Sequence, residues 1–263
     1  MSRLPALGRI LLPAIFMAAL LMAWEMLVRL AAIPPYVLPS PTLIGATLIN
    51  DWPLLSRALV VTLITTLEGL ALALVGGVGL ALLFARSRTI EWVLYPYAVI
   101  LQVTPIIAIA PLLLIYTSSE TTVLICAWIV AFFPILSNTT TGLRATDRNL
   151  LALFTLYGAS SWQVLWHLRM RAALPYFLAG LRIGGGLSLI GAVVAEIAAG
   201  SAGAGGGLAY RIVEAQYRLN IPRMFAALIL LAVAGIAIFA VLSGISHLLL
   251  RRWHESALAP PER

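Results

Sequence analysis

The sequence predicts an all-α membrane protein with about six spanning helices. Hydrophobic residues make up 62% of the 263 residues and charged residues only 10%, and the mean hydropathy is +1.01. A soluble domain carries about a quarter charged residues. The chain therefore has too few charges to cover a water-exposed surface. Its long apolar stretches and the placement of its arginines define the arrangement in more detail.

Six stretches reach the ~20 mostly apolar residues that a spanning helix requires. They are Ile10–Ala31, Leu59–Ala85, Trp92–Tyr116, Thr121–Thr141, Tyr176–Ala199 and Met224–Leu250. The first stretch is too long for the apolar core of a signal peptide and lacks a clear cleavage site, so we interpret it as an uncleaved helix. We expect residues 1–263 to form a single transmembrane domain.

Two segments outside these stretches have turn or flexible character. The prolines of Pro34–Pro41 forbid a regular helix there. Ser40 and Pro41 then resemble the cap and first position of a short helix, Thr42–Asn50, which would lie on the membrane surface. The run Gly200–Gly207 is too rich in glycine to hold a helix.

The placement of the arginines predicts the orientation in the membrane. One side of the predicted bundle holds Arg3, Arg9, Arg86, Arg88, Arg144, Arg148, Arg169, Arg171, Arg251, Arg252 and Arg263. The other side holds Arg29, Arg57, Arg211, Arg218 and Arg223. The excess of 11 over 5 places both termini and the loop around Arg144–Arg171 in the cytoplasm. An even number of spans agrees with this arrangement.

A long Arg-rich loop, Gly142–Pro175, separates the fourth and fifth stretches and carries its own helical pattern. Gly158 interrupts that pattern, and Ser160 or Ser161 can cap a second short helix. Tryptophan and arginine dominate the binding energy at protein interfaces, so the loop is a candidate docking surface. Trp162 and Trp166, the two tryptophans of the loop, could instead anchor at the lipid headgroups. The candidate docking residues are Gly158, Ser160, Ser161, Trp162, Leu165, Trp166 and Leu168.

The third stretch and its neighbours contain a candidate translocation path. Prolines kink a helix and free backbone carbonyls, which must face protein or a cavity at membrane depth. An ionisable residue inside a span also tends to face the interior. A merely structural kink and close helix packing at glycines are the alternatives. The candidate path residues are Glu68, Thr104, Pro105, Ile107, Ala110, Pro111, Gly184 and Gly185.

Glu196 lies near the outer end of the fifth stretch, just before the glycine run. It could face an external binding protein or an outer vestibule. An ordinary carboxylate at the membrane interface is the alternative.

Several function classes lack support in the sequence. Cys126 is the only cysteine, and the three histidines have no metal-binding spacing. No glycine-rich phosphate loop followed by Lys and Ser or Thr is present. We therefore expect no catalytic site, no metal and no cofactor in this chain. The basic balance reflects topology and does not indicate nucleic-acid binding.

Several short segments together resemble the permeases of binding-protein-dependent importers of the ATP-binding-cassette superfamily. Gly158 matches the glycine of the family's loop motif, and Leu168 and Met170 match its apolar positions. The resemblance is closest to the nitrate, sulfonate, taurine and thiamine-precursor group. The matching segments are LPSP at Leu38–Pro41, TPIIAIAPL at Thr104–Leu112, FFPIL at Phe132–Leu136, YGAS at Tyr157–Ser160, ALPY at Ala173–Tyr176, GLR at Gly180–Arg182 and VVAE at Val193–Glu196.

The loop departs from the family pattern at two places. Ala152 stands where the family has a glutamate, with Leu153 and Phe154 in place of two alanines, and Arg171 stands where it has a proline. The glutamate's role is therefore not carried over to this chain.

The resemblance implies a multi-pass permease of the bacterial inner membrane that works by alternating access. It further implies a homodimer, an external solute-binding protein and two cytoplasmic ATPase subunits that bind ATP and magnesium under the coupling loop, about residues 142–175. A self-sufficient secondary transporter is the alternative, for which inverted repeats would be the sign. The mainly apolar path favours a neutral or aromatic solute, such as a pyrimidine-type vitamin precursor, while sulfonates and nitrate stay open as alternatives.

Overall fold

The computed structural model describes residues 6–200 and 206–251, and the side chains from Leu11 onward. The predicted cytoplasmic termini and residues 201–205 of the glycine run lie outside these ranges. Within the described ranges all regular structure is helical. The helices are α1 (Ala6–Leu30), α2 (Pro41–Asn50), α3 (Trp52–Arg86), α4 (Arg88–Val103), α5 (Ile106–Tyr116), α6 (Ser119–Arg144), α7 (Arg148–Leu156), α8 (Ser161–Val164), a π-helical turn (Leu165–Arg169), α9 (Met170–Ala199), α10 (Leu208–Tyr217) and α11 (Ile221–Leu250).

Five described helical segments are long and apolar enough to cross a membrane. These are residues 11–30 of α1, helix α3, helix α6, the continuous segment Ser161–Ala199 and helix α11. The pair α4 and α5 makes a sixth span if the two helices are taken together. The all-α fold with about six spans is thus confirmed.

The third predicted stretch is not one kinked helix. Helices α4 and α5 meet at an angle of 99°, and the break falls at Thr104 and Pro105. Proline lacks an N–H and disfavours helical geometry in the residue before it, and Thr104 is accordingly extended (φ −73°, ψ 125°). Pro96 and Pro111 lie inside α4 and α5 without ending them. The sequence identified the proline but not the size of the bend.

Helices α3, α6 and α9 form the centre of the bundle, and small residues let them approach closely. A Cβ atom added at Gly191 on α9 would lie 2.8 Å from the Cys126 carbonyl oxygen and 3.0 Å from Ala127 Cα on α6. A Cβ atom at Gly69 on α3 would lie 2.6 Å from Ala127 Cβ. Ala127 on α6 is therefore in close contact with both neighbours, as expected for membrane helices packed through small residues.

The coupling loop is shorter than the predicted range of 142–175. Helix α6 continues to Arg144, and the next helix starts at Ser161 and runs through the π turn into α9. Pro175 lies inside α9 and does not end the loop. Arg171 is also helical and, unlike the proline of the family pattern, keeps its N–H group. The second short helix of the loop is therefore the first part of a membrane-spanning helix.

The caps of two helices confirm local predictions. Ser40 precedes α2, and its Oγ accepts a hydrogen bond from the Leu43 N–H at 3.3 Å. Ser160, rather than Ser161, caps α8. Its Oγ accepts from the Gln163 N–H at 3.3 Å, and Gln163 Oε1 accepts from the Ser160 N–H at 2.8 Å. This reciprocal capping box fixes where the long helix begins.

Candidate functional site

The coupling loop presents an exposed apolar surface, which we call the loop face. Helix α7 has no buried residue, and Gly158 turns the chain after it with φ +67°. Large apolar side chains exposed together on a loop and at the first turns of the helix that follows it indicate an interaction surface. The loop face consists of the exposed side chains Leu150, Leu153, Leu156, Tyr157, Trp162 and Trp166.

Trp162 and Trp166 lie at the edge of the long helix that starts at Ser161. They are 63% and 47% exposed, and their rings meet edge to face with centroids 5.7 Å apart. One turn of helix separates the two residues, so their relative position is fixed by the backbone. The pair forms a rigid aromatic protrusion of the type that fills a partner's groove.

Two predicted docking residues face the opposite way. Leu165 and Leu168 are buried inside the chain, and Leu165 joins the core cluster that includes Leu143 and Ala173. The prediction that Leu165 and Leu168 face a partner is therefore wrong. The two leucines lie on the buried side of the helix, opposite the exposed tryptophans.

The bend between α4 and α5 exposes part of the predicted path. The Thr104 hydroxyl donates a hydrogen bond to the Ile100 carbonyl oxygen at 2.6 Å, within its own helix end. Pro105 and Pro111 are exposed, and Ile107 is 68% exposed. These side chains contact no helix of their own chain over much of their surface, so they are open to lipid, to a solute or to a second copy.

Three other predicted path residues are packed against neighbouring helices. Ala110 is fully buried among small residues of α6 and α9. A Cβ atom at Gly184 would lie 3.1 Å from Ile135, and one at Gly185 would collide with Leu242. Their assignment to the path is therefore corrected. These small residues instead let neighbouring helices approach each other closely.

Glu68 lies in the middle of α3 and its side chain is exposed. It has no hydrogen bond or ion pair with any residue in the described ranges. A carboxylate at membrane depth is costly unless it faces water, protein or a solute. Glu68 therefore remains the strongest polar candidate on the path.

Glu196 forms a buried junction that the sequence did not predict. Its carboxylate accepts hydrogen bonds from the Thr62 hydroxyl at 2.7 Å and from the Ala209 N–H at 3.0 Å. The Thr62 hydroxyl in turn accepts from the Leu208 N–H at 2.9 Å. Free N–H groups at the start of α10 are thus satisfied by α3 and α9. A side chain at Gly207 would collide with this carboxylate.

This junction excludes both earlier interpretations of Glu196. The side chain is only 4% exposed, so it faces neither a vestibule nor the membrane interface. The sequence did carry one signal of this junction. The glycine run ends at Gly207, where a side chain would collide with the Glu196 carboxylate. Thr62 had no distinguishing sequence signal, because it lies within an apolar helix 134 residues away.

Replacing Thr62 with valine is expected to destabilise the protein. The change keeps the shape but removes one hydrogen bond from a buried carboxylate and leaves the Leu208 N–H without its partner. The expected cost is ~1–3 kcal/mol, or a fall in Tm of ~2–4 °C for each kcal/mol. Thermal unfolding of the purified protein measures this change.

Thr65→Val is the matched control for this prediction. The Thr65 hydroxyl donates only to the Val61 carbonyl oxygen of its own helix, at 3.0 Å. The control should therefore change Tm little. Equal Tm values for the two variants would contradict the role assigned to the junction.

Ion pairs stabilise the same end of the bundle. Arg223 at the start of α11 contacts Asp51 between α2 and α3 at 2.6 Å. Glu214 on α10 contacts Arg211 at 2.7 Å and Arg218 at 2.9 Å. The hydrogen bond from Arg211 is the main reason why the pKa of Glu214 lies below its ordinary value. Helix α10 was not predicted from the sequence, in which this segment follows the glycine run and was interpreted as a loop.

No cluster of three or more His, Cys, Asp or Glu side chains that could hold a metal ion occurs within residues 6–200 and 206–251. The described helices, five or six of which are long and apolar enough to cross a membrane, define a polytopic membrane protein. The chain matches the family described as "Binding-protein-dependent transport system inner membrane component" over residues 73–255. It belongs to that family.

Curated relatives of similar length agree with this assignment. A probable ABC transporter permease of Haemophilus influenzae is 34% identical and covers 91% of this chain and 96% of its own. A formylaminopyrimidine transport permease of Halalkalibacterium halodurans is 35% identical, with coverages of 90% and 94%. A riboflavin transport system permease of Chloroflexus aurantiacus is 34% identical, with coverages of 96% and 92%.

A solved structure confirms the fold. The crystal structure of an amino acid ABC transporter with histidines matches with a TM-score of 0.62 and 20% identity, over 79% of this chain and 97% of that one. The chain is thus the permease subunit of an ATP-driven importer of a small solute, and it is not an enzyme. As a member of this family it works with an ATPase and a solute-binding protein, in the inner membrane. Nothing in these findings favours a secondary transporter.

Proposed function

We propose that two copies of this permease form a homodimer, and that one ATPase subunit docks on the loop face of each copy. The ATPase subunits bind ATP and magnesium, and the permease itself binds neither. The observation that carries the proposal is the exposed tryptophan pair on the loop between α6 and α9. Such a surface would be a liability in water without a partner.

The loop face lies in the cytoplasm under this proposal, together with both termini. Arginine is enriched at the same end of the bundle, where the α4 residue Glu91 forms an ion pair with Arg144 at the end of α6. At the opposite end Asp51 pairs with Arg223. These pairs support the grouping of the helix ends on which the arginine excess was counted.

A continuous helix connects the docking site to the far side of the bundle. The segment Ser161–Ala199 starts at the loop face and ends beside Glu196, which is hydrogen-bonded to α3 and to the start of α10. A rigid helix transmits displacement along its length. Closure of the ATPase subunits would therefore move the outer ends of α3 and α10 and switch the path between two sides, which is alternating access.

The solute class that we propose is a small nitrogen heterocycle with N–H donors. Two relatives at 34–35% identity carry names for transport of formylaminopyrimidine and riboflavin. The taurine and nitrate permeases are 28% and 27% identical. Glu68 supports the same choice, because an exposed carboxylate at membrane depth accepts N–H donors and repels anions.

Reconstitution of the complex tests this proposal. The permease, coexpressed with its ATPase, should purify with two copies of each subunit by native mass spectrometry. In proteoliposomes with the binding protein, ATP should drive uptake of a labelled aminopyrimidine. Excess unlabelled aminopyrimidine should suppress that uptake, whereas taurine and nitrate should not. Uptake of taurine or nitrate instead would contradict the solute class, and a single permease copy would contradict the dimer.

A further inference from the structure

A cleft of about 680 Å³ opens beside the coupling loop, on the arginine-rich end of the bundle. Its walls come from the end of α3, the start of α4, the end of α6, helix α7 and the π turn. It is separate from the loop face and from the predicted path. Its charged lining residues are Arg88, Glu91, Arg144 and Arg169.

The charges of this cleft do not balance. Three arginines and one glutamate leave a net charge of +2 among the lining residues. Glu91 is paired with Arg144, whereas Arg88 and Arg169 have no ion pair or hydrogen bond within the described residues. A neighbouring cleft of about 390 Å³ shares Arg169 and adds Arg86. The arginines come from three separate segments, so they converge through the fold and do not lie along one helix face.

Thr140 gives a second, independent sign of a ligand. It lies in the wall of the cleft and is only 6% exposed. Its hydroxyl is buried without a hydrogen-bond partner among the described residues. A buried donor without a partner costs free energy, and an oxygen of a bound anion would satisfy it.

The π turn places the third arginine at the cleft. Arg169 is the last residue of Leu165–Arg169, the only π-helical segment in the described part of the chain. Such turns are rare and occur frequently at functional sites. An insertion of this kind rotates the residues that follow it relative to those before it. The tryptophans of the loop face and Arg169 therefore lie on different sides of the same helix.

We propose that this cleft binds a phosphate group. Arginine forks match phosphate oxygens in two-point contacts, and the Thr140 hydroxyl donates to an oxygen. A free phosphate brings up to two negative charges against the net charge of +2, and a lipid phosphodiester brings one. The group belongs either to a soluble phosphate or to an anionic lipid headgroup. Trp92, an exposed residue of the cleft rim at the start of α4, suits the lipid source.

A bound phosphate would connect the segments that surround it. Arg169 belongs to the helix that begins at the loop face, and Arg88 belongs to the first turn of α4, the helix that leads to the bend. The ligand therefore fixes the coupling loop against the bent pair of helices. The binding itself does not depend on the orientation, the dimer or the solute class, because it uses one chain only.

Binding to the purified full-length protein in phosphate-free detergent tests the proposal. One measurement follows labelled inorganic phosphate at low ionic strength. The other follows retention of phosphatidylglycerol against phosphatidylcholine by native mass spectrometry. In the double variant Arg88→Gln/Arg169→Gln we expect affinity to fall about tenfold or more. The control Arg148→Gln/Arg171→Gln removes two exposed arginines of the same region that do not line the cleft, and should change affinity little.

Thr140→Val separates a site from general attraction of anions. It changes no charge, yet it should weaken binding about threefold or more, while the Tm of the ligand-free protein stays equal or rises because an unpartnered hydroxyl is lost. Binding of inorganic phosphate that both Arg88→Gln/Arg169→Gln and Thr140→Val weaken supports a soluble ligand. Selective retention of phosphatidylglycerol supports a lipid headgroup. The proposal is wrong if neither ligand binds, if both double variants weaken binding equally, or if Thr140→Val binds as the unmodified protein does.

Discussion

Loss of Trp162 and Trp166 together should abolish coupling to the ATPase. Each ring is exposed on the loop face and restrained by the other, which is the arrangement of an interface anchor. A buried tryptophan at an interface contributes about 2 kcal/mol or more on replacement by alanine, or ~30-fold in Kd. The double variant Trp162→Ala/Trp166→Ala is thus expected to lose copurification with the ATPase and its stimulation by binding protein.

The control for this variant is Trp52→Ala, which removes an exposed tryptophan at the opposite end of the bundle. That change should leave assembly with the ATPase intact. The alternative for Trp162 and Trp166 is anchoring at the lipid headgroups. If the double variant binds and responds to the ATPase as the unmodified protein does, the docking assignment is refuted and headgroup anchoring is favoured.

The sequence predicted the spans because their signal is local. A run of apolar residues is visible in the local sequence, and α1, α6 and α11 lie within four residues of the predicted ranges at both ends, whereas α3 begins seven residues before the predicted Leu59. Caps are also local, so Ser40 and the serine before α8 were found. The family resemblance added the class of function, which composition and periodicity alone do not supply.

The side of each helix on which a given residue lies, buried or exposed, was harder to predict. Leu165 belongs with Trp162 and Trp166 in sequence, but the helix geometry and the π turn bury it in the core. Gly184 and Gly185 were assigned to the path on composition, and contacts with other helices show them packed. Which face of a helix packs against a neighbouring helix depends on residues distant in the chain. The local pattern of one helix does not identify those residues.

Long-range polar contacts were missed for the same reason. Glu196 was noticed as an ionisable residue at a helix end, but its partners Thr62 and Ala209 come from two other helices, and Leu208 joins the junction only through Thr62. The two alternatives considered for it both assumed exposure. Burial between three helices gives it a different task, which is to hold together the ends of α3, α9 and α10 that lie away from the loop face.

A bulky side chain at Ile107 should block solute uptake. Ile107 follows the 99° break between α4 and α5 and is 68% exposed, so Ile107→Trp adds volume beside the bend without opening a packed core. The freed carbonyls at such a break must face protein or a cavity, so we expect the path to pass this bend and the new ring to narrow it. Uptake in proteoliposomes is expected to fall about tenfold or more, while ATPase assembly stays unchanged, because a narrowed path raises the transport barrier by ~1.4 kcal/mol per tenfold.

Ile236→Trp on α11 is the matched control, since Ile236 is also 68% exposed and also lies in an apolar helix. It should reduce uptake little if α11 lies away from the path. Leu231 and Ile238 on the same helix are unsuitable controls because both are buried. Ala110→Trp is unsuitable as a second test of the path, because Ala110 is fully buried and a tryptophan there would disrupt packing. Should Ile236→Trp block uptake while Ile107→Trp does not, the path runs along α11, and the bent pair serves only to close the bundle.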